Sequence, residues 1–277
     1  LKYSRGQESA ADQAAVRYMN KLGWPIHGFL TMMEMFMAHD LLSETHQEPY
    51  MRTHPLSRER VNFLKNMVQD SLQKQTSFPS HIEQDFILAQ VKLKAYTLTP
   101  GQIFLEFSEK RQDTMALYAR AIAYYRDRQI SKALGLFQQL TRMMPSNAYI
   151  WEMMGQILFE EGRKAESQRA YDQALKLAPH EPLIQMACAQ VLLSNNQAHT
   201  LTRAVDLMEK VIITEDDYAS AWHLLAIAYG KQKKPAMASY ALAKEAVCLE
   251  KFDVALKQID RAMKGNVPAT IYQKLKD

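Results

Sequence analysis

Glu8 and Asp12 stand four residues apart, a spacing that in a helix stacks two carboxylates one turn above each other on one face. Between them lie Ser9, Ala10 and Ala11, small residues that let neighbouring structure approach that face closely. Carboxylates taken out of water there are unfavourable unless something compensates the desolvation, and a metal ion is one such partner. The plainer reading is a carboxylate pair that stabilises a helix start. Thr53-His54-Pro55-Leu56 holds a histidine on a turn stiffened by Pro55, and His54 with Thr53 equally reads as a cap for the helix that follows. Arg60 sits about a turn into that helix and suits a bidentate carboxylate contact.

The elements that position these groups are helical almost end to end, and nothing reads as a sheet. The fold class expected is therefore all-α. The helix carrying Glu8 and Asp12 stops at Gly23, ahead of Trp24-Pro25. A second runs from about Ile26 to His39, and an irregular polar stretch leads to the His54 turn. Ser57 caps a third helix with Arg60, Val61, Leu64 and Val68. Phe78-Pro79-Ser80 marks a boundary, Ser80 capping a helix to about Tyr96, and Thr99-Pro100 opens another.

From Thr114 a repeat emerges. Leu117, Ala121, Tyr124, Ala133, Phe137, Leu140 and Pro145 follow the tetratricopeptide pattern. Trp151, Gly155, Leu158, Ser167, Tyr171, Ala174 and Pro179 repeat it, each of the last four 34 residues after its counterpart. A looser third repeat carries Ala189 and Leu192, about three extra residues between Ser194 and Thr200, then Ala204, Met208 and Val211. A fourth has Trp222, Ala226 and Tyr229. The helix from Pro235 to Leu249 serves both this repeat and a closing half-repeat with Ala255, Ile259 and Ala262. Repeat register assigns Met115, Tyr118, Tyr125, Tyr149, Phe159, Met186 and His223 to a concave groove that takes extended or helical peptide. It assigns Trp151, Tyr171 and Trp222 to packing.

Composition narrows the function. The 277 residues are 47% hydrophobic and 23% charged, as in ordinary globular proteins. No apolar run reaches the ~18 residues of a membrane span. A net charge of +4, with no basic stripe interleaved with aromatics, argues against nucleic acid. Lys231, Lys233 and Lys234, ending in Pro235, read as a solvated turn between helices. Cys188 and Cys248 lie in alanine-rich helical stretches and read as small buried hydrophobes.

The wording E-S-A-A-D at 8–12, Gly23-Trp24-Pro25, and T-H-P-L-x-x-x-R at 53–60 together resemble the periplasmic zinc metallopeptidases of the BepA/YfgC type. The resemblance implies a helical metallopeptidase part over 1–79, linking helices over 80–113, and about four and a half tetratricopeptide repeats over 114–277. It implies Glu8 as third zinc ligand, Asp12 orienting a ligating histidine, Arg60 supporting the site, and His54 in the fourth zinc position. The H-E-x-x-H pair that supplies the other ligands is not in this sequence: His180 alone is followed by Glu, and Ile184 stands where the second His belongs. The chain therefore reads as the C-terminal portion of a larger zinc endopeptidase. By itself it is expected to be inactive and to hold no tight zinc, with Glu8 and His54 exposed on a surface the missing helix would cover. Implied partners are unfolded or extended protein substrates, such as misassembled outer-membrane proteins, and the outer-membrane assembly machinery, in the periplasm. The alternative is a non-catalytic tetratricopeptide adaptor that retains a protease remnant.

Overall fold

This computed structural model of the chain describes residues 5–40, 58–71 and 78–276. Among the described residues all regular structure is helical. The chain divides into two units, Leu1–Ala89 and Gln90–Asp277.

The first unit contains α1 (Arg5–Leu22), α2 (His27–Asp40) and α3 (Arg58–Ser71). Gly23 adopts φ +69°, and the Trp24 N–H reaches back to the Met19 carbonyl at 2.8 Å, closing α1 with a left-handed glycine cap. Val61, Leu64 and Val68 recur at helical spacing along α3 and are buried with Val16, Ile26, Leu30 and Met33. Trp24 meets Phe78 edge to face with ring centroids 5.5 Å apart.

Helix α4 (Ser80–Thr97) contributes residues 90–97 to the second unit, followed by α5 (Pro100–Glu106). Thr99 and Gln102 form a reciprocal capping box, and Pro100 occupies the first turn. The first repeat helix holds on to the carbonyls that end α4 and α5. Arg126 donates from Nη1 to the Ala95 and Leu98 carbonyls at 2.6 and 2.5 Å, and the Arg120 guanidinium donates to the Phe107 and Ser108 carbonyls. Both cations thereby satisfy carbonyls at helix ends, where the dipole favours positive charge.

The repeats are α6 (Thr114–Arg126) with α7 (Ile130–Met143), α8 (Ala148–Glu160) with α9 (Lys164–Leu177), α10 (Pro182–Asn195) with α11 (Ala198–Thr214), and α12 (Ala219–Lys231) with α13 (Pro235–Cys248). Then come α14 (Phe252–Met263) and α15 (Ala269–Lys276). Helix α13 packs as extensively on α14 as on α12, the double duty read from the sequence. The three extra residues of the third repeat do not enlarge its turn. They lengthen α11 to 17 residues against 14 in α9, leaving the preceding turn at Asn196 and Gln197.

Two devices recur in register. Each turn inside a pair places one residue in the left-handed region: Arg128, Gly162, Asn196 and Lys233, with Glu250 doing the same before α14. In all but the Asn196 turn the next N–H returns five residues, as from Gln129 to Tyr124, Arg163 to Leu158, Lys234 to Tyr229 and Lys251 to Ala246. Lys233 thus lies at a turn, as its lysine-rich surroundings implied. The second device is a side chain that ties each repeat to the turn before it. Trp151 donates to the Pro145 carbonyl, Gln185 to Pro179 and Trp222 to Asp216, at 3.3, 2.7 and 2.8 Å. Gln185 replaces the Trp of its neighbours at the same register, which is why the third repeat looks loose by pattern alone.

Small residues set how closely the paired helices approach. Gly155 faces the Tyr171 ring so tightly that an added Cβ would lie 2.9 Å from ring carbons, while the Ser167 hydroxyl donates to the Gly155 carbonyl at 2.7 Å. Tyr171 is buried and has no room to step aside. Gly155→Ala should therefore lower unfolding stability by about 1–3 kcal/mol, the usual effect of overpacking. A denaturant titration in which the variant matched the native chain would contradict this packing.

Candidate functional site

In the first unit, α1 carries Glu8 and Asp12 on one face and α3 brings Arg60 to both. Arg60 Nε and Nη2 donate to Asp12 Oδ2 and Oδ1 at 2.6 and 2.9 Å, a bidentate fork. Its Nη1 lies 3.3 Å from Glu8 Oε2. Glu8, Asp12 and Arg60 are only 7%, 4% and 8% exposed, so all three have left water together. The expectation of an exposed Glu8 is thus corrected: α3 lies along this face and its guanidinium compensates the burial. Asp12 is engaged by Arg60, and no histidine meets it among the described residues. His54 and its turn lie outside the described residues.

Three or four protein ligands make a zinc site. Among the described residues no three His, Cys, Asp or Glu side chains gather to hold a metal ion. A Glu carboxylate is a donor of the kind zinc takes, so Glu8 fits a share of a zinc shell, which the described residues do not complete.

In the second unit, the first helices of successive repeats pack on one another, α8 on α10 and α10 on α12, more closely than the second helices do. The first-helix layer is therefore the inner wall. Tyr149 and His223 are exposed on it, and Met115, Tyr125, Phe159 and Met186 are half-buried. Tyr118 departs from the groove assignment: it is 3% exposed and meets Phe137 edge to face at 6.2 Å, which makes it core. Its register position points inward, but residues from α4 cover that stretch of wall. Tyr171 and Trp222 are buried as their packing assignment requires, and Trp151 is half-buried.

Carboxylates on this wall escape a pattern of aromatics. Tyr125 donates its hydroxyl to Glu160 Oε2 at 2.7 Å, and Gln156 Nε2 donates to the other oxygen at 3.0 Å. Tyr149 donates to Glu181 at 3.3 Å. Glu152 faces Lys92 of α4 at 3.8 Å, and Tyr96 of α4 lies 3.9 Å from the Met153 sulfur. Desolvation pushes the Glu152 carboxyl above its ordinary range, with Lys92 pulling the other way. The repeat register could have found Glu152 and Glu160, since it places both beside the aromatics of α8.

Both cysteines are unpaired. Burial pushes the Cys188 thiol up to about 12, which removes it as a nucleophile.

Residues 1–68 match the family description Peptidase family M48, and residues 133–256 match the cytochrome c-type biogenesis protein H TPR domain. The chain thus joins a segment that matches family M48 to a tetratricopeptide-repeat array. No curated protein matches it significantly. Among solved structures, MamA (AMB-1) is 12% identical with a TM-score of 0.51, covering 60% of this chain and 96% of that one. MamA residues 41 to the end from Desulfovibrio magneticus RS-1 is 18% identical with a TM-score of 0.48, covering 60% and 94%. YrrB, described as a TPR protein with an unusual peptide-binding site, is 17% identical with a TM-score of 0.46, covering 52% and 73%. At such identities the MamA (AMB-1) likeness speaks for the helical-repeat fold alone.

Two outcomes follow. Arg60→Met removes the cation shared by two buried carboxylates and should destabilise the first unit by about 3–5 kcal/mol, read as faster hydrogen exchange in α1; unchanged exchange would contradict the cluster. A carboxyl whose folded pKa is raised holds its proton more tightly in the fold. Stability from Glu152 is thus lost as pH rises from the ordinary Glu range through the raised value. Glu152→Gln should melt above the native chain at pH 7, with the gap closing in acid. A gap independent of pH would show that the Glu152 charge is not strained.

Proposed function

We propose that this chain supplies the third metal ligand and its supporting ion cluster to a zinc metalloendopeptidase, and that its repeats hold the protein substrate. The observation that carries the reading is Glu8, buried one turn from Asp12 with Arg60 joined to both, inside the segment that matches family M48. Zinc, when bound, would polarise the scissile carbonyl and lower the pKa of its water toward neutrality. Glu8 offers the carboxylate, and the Asp12–Arg60 fork fixes α1 against α3 so that Glu8 keeps its place. The two histidine ligands belong to an H-E-x-x-H helix that these 277 residues do not contain. By the resemblance of the 53–60 motif, His54 would hold the fourth position when zinc is bound and keep the enzyme inactive. The periplasm, misassembled outer-membrane proteins as substrates, and the outer-membrane assembly machinery as partner rest on the resemblance of the 8–12 and 53–60 motifs.

A second reading has its own support. Arg60 engages both carboxylates, as a structural cluster in a non-catalytic tetratricopeptide adaptor would require. The intact parent protein separates the two. Glu8→Gln should abolish cleavage of an unfolded protein and lower bound zinc, while peptide binding by the repeats persists. His54→Ala should raise cleavage. Unchanged cleavage and zinc content in Glu8→Gln would leave only the adaptor.

A further inference from the structure

The inner wall is aromatic and acidic at once, and the chain itself shows how such a surface is used. Residues 90–97 of α4 lie on it with Ala95 fully buried, Tyr96 against Met153, and Lys92 presenting its ammonium to Glu152. An apolar face with one lysine is thus the chemistry the covered part of the wall accepts.

Beyond the part that α4 covers, the wall repeats that chemistry with neutral donors among the described residues. Glu160 receives a phenol and a primary amide, and Glu181 receives a phenol, all neutral donors. Beside them Tyr149 and Leu183 are 47% and 61% exposed, and Phe159 and Met186 are half-buried. The nearby cations are spent elsewhere. Arg126 holds the Ala95 and Leu98 carbonyls, Arg128 pairs with Glu161 at 3.7 Å, and Lys231 reaches Asn196 Oδ1 at 3.3 Å. His223 is matched by Glu245.

We infer that the second and third repeats take client polypeptide segments bearing a lysine or arginine beside apolar residues, with Glu160 and Glu181 receiving the cation. The inference rests on the peptide-binding reading of the repeats and adds a charge preference to it. Glu160 is exposed and Glu181 half-buried, so both are open to a client's cation, and a charged donor makes a stronger hydrogen bond to a carboxylate than the neutral donors they now have. The same charges oppose an acidic tail.

The test uses the full chain and two labelled unstructured peptides with the same apolar residues, one carrying lysines where the other carries glutamates. Fluorescence anisotropy at low salt should give the lysine peptide an affinity about ten-fold higher or more, the margin narrowing at high salt. The Glu160→Gln/Glu181→Gln variant, checked for native helicity, should lose that margin. Glu161→Gln, which removes an equal charge from the Arg128 pair, should keep it. Equal binding of the two peptides, or loss of the margin in Glu161→Gln, would overturn the charge preference and leave the groove reading intact. Failure of both peptides to bind would overturn both.

Discussion

Two carboxylates one helical turn apart cannot leave water without a counter-charge, and that constraint organises the segment that matches family M48. Glu8 and Asp12 face α3, and Arg60 answers both at once, with two nitrogens on Asp12 and a third toward Glu8. A lysine could not do this, since it offers a point charge rather than a planar fork. The apolar side of α3, with Val61, Leu64 and Val68, then packs in the core of the same unit. Thus one helix meets the charged pair with one residue and fills the core with others. The geometry suits a site in which Glu8 must be held still.

The repeats obey a different constraint, the closeness of paired helices. Gly155 against Tyr171 is its sharpest instance, and the buried Ser167 is tolerated because its hydroxyl has an acceptor. Left-handed residues at Arg128, Gly162, Asn196 and Lys233 reverse the chain at one register in each repeat. Gly162 takes that conformation without steric cost and Asn196 tolerates it, so the turn geometry prevails over local residue preference at Arg128 and Lys233.

Much of this was legible in the residues. The 34-residue recurrence of Phe137 and Tyr171, and of Pro145 and Pro179, marks the array because each residue fills the same interhelical gap. Gly23 marks the end of α1 because only a left-handed cap fits there. What escaped was what depends on partners distant in sequence. The burial of Glu8 depends on a helix some fifty residues on. Tyr118 became core because part of α4 covers its face, which no repeat register encodes. The third repeat hid its tie to the preceding turn by using Gln185 where its neighbours use Trp, a hydrogen-bond donor in place of a familiar aromatic. Its extra residues extended α11 because Leu207, Met208 and Val211 continue a buried helical stripe.

The ion cluster links fold and chemistry in the segment that matches family M48, because Arg60 joins α3 to both carboxylates of α1. A double-mutant cycle with Asp12→Asn and Arg60→Gln, read by equilibrium unfolding, tests this directly. The account predicts a coupling of about 2 kcal/mol or more between the two positions. Losses that add to within about 0.5 kcal/mol would contradict it.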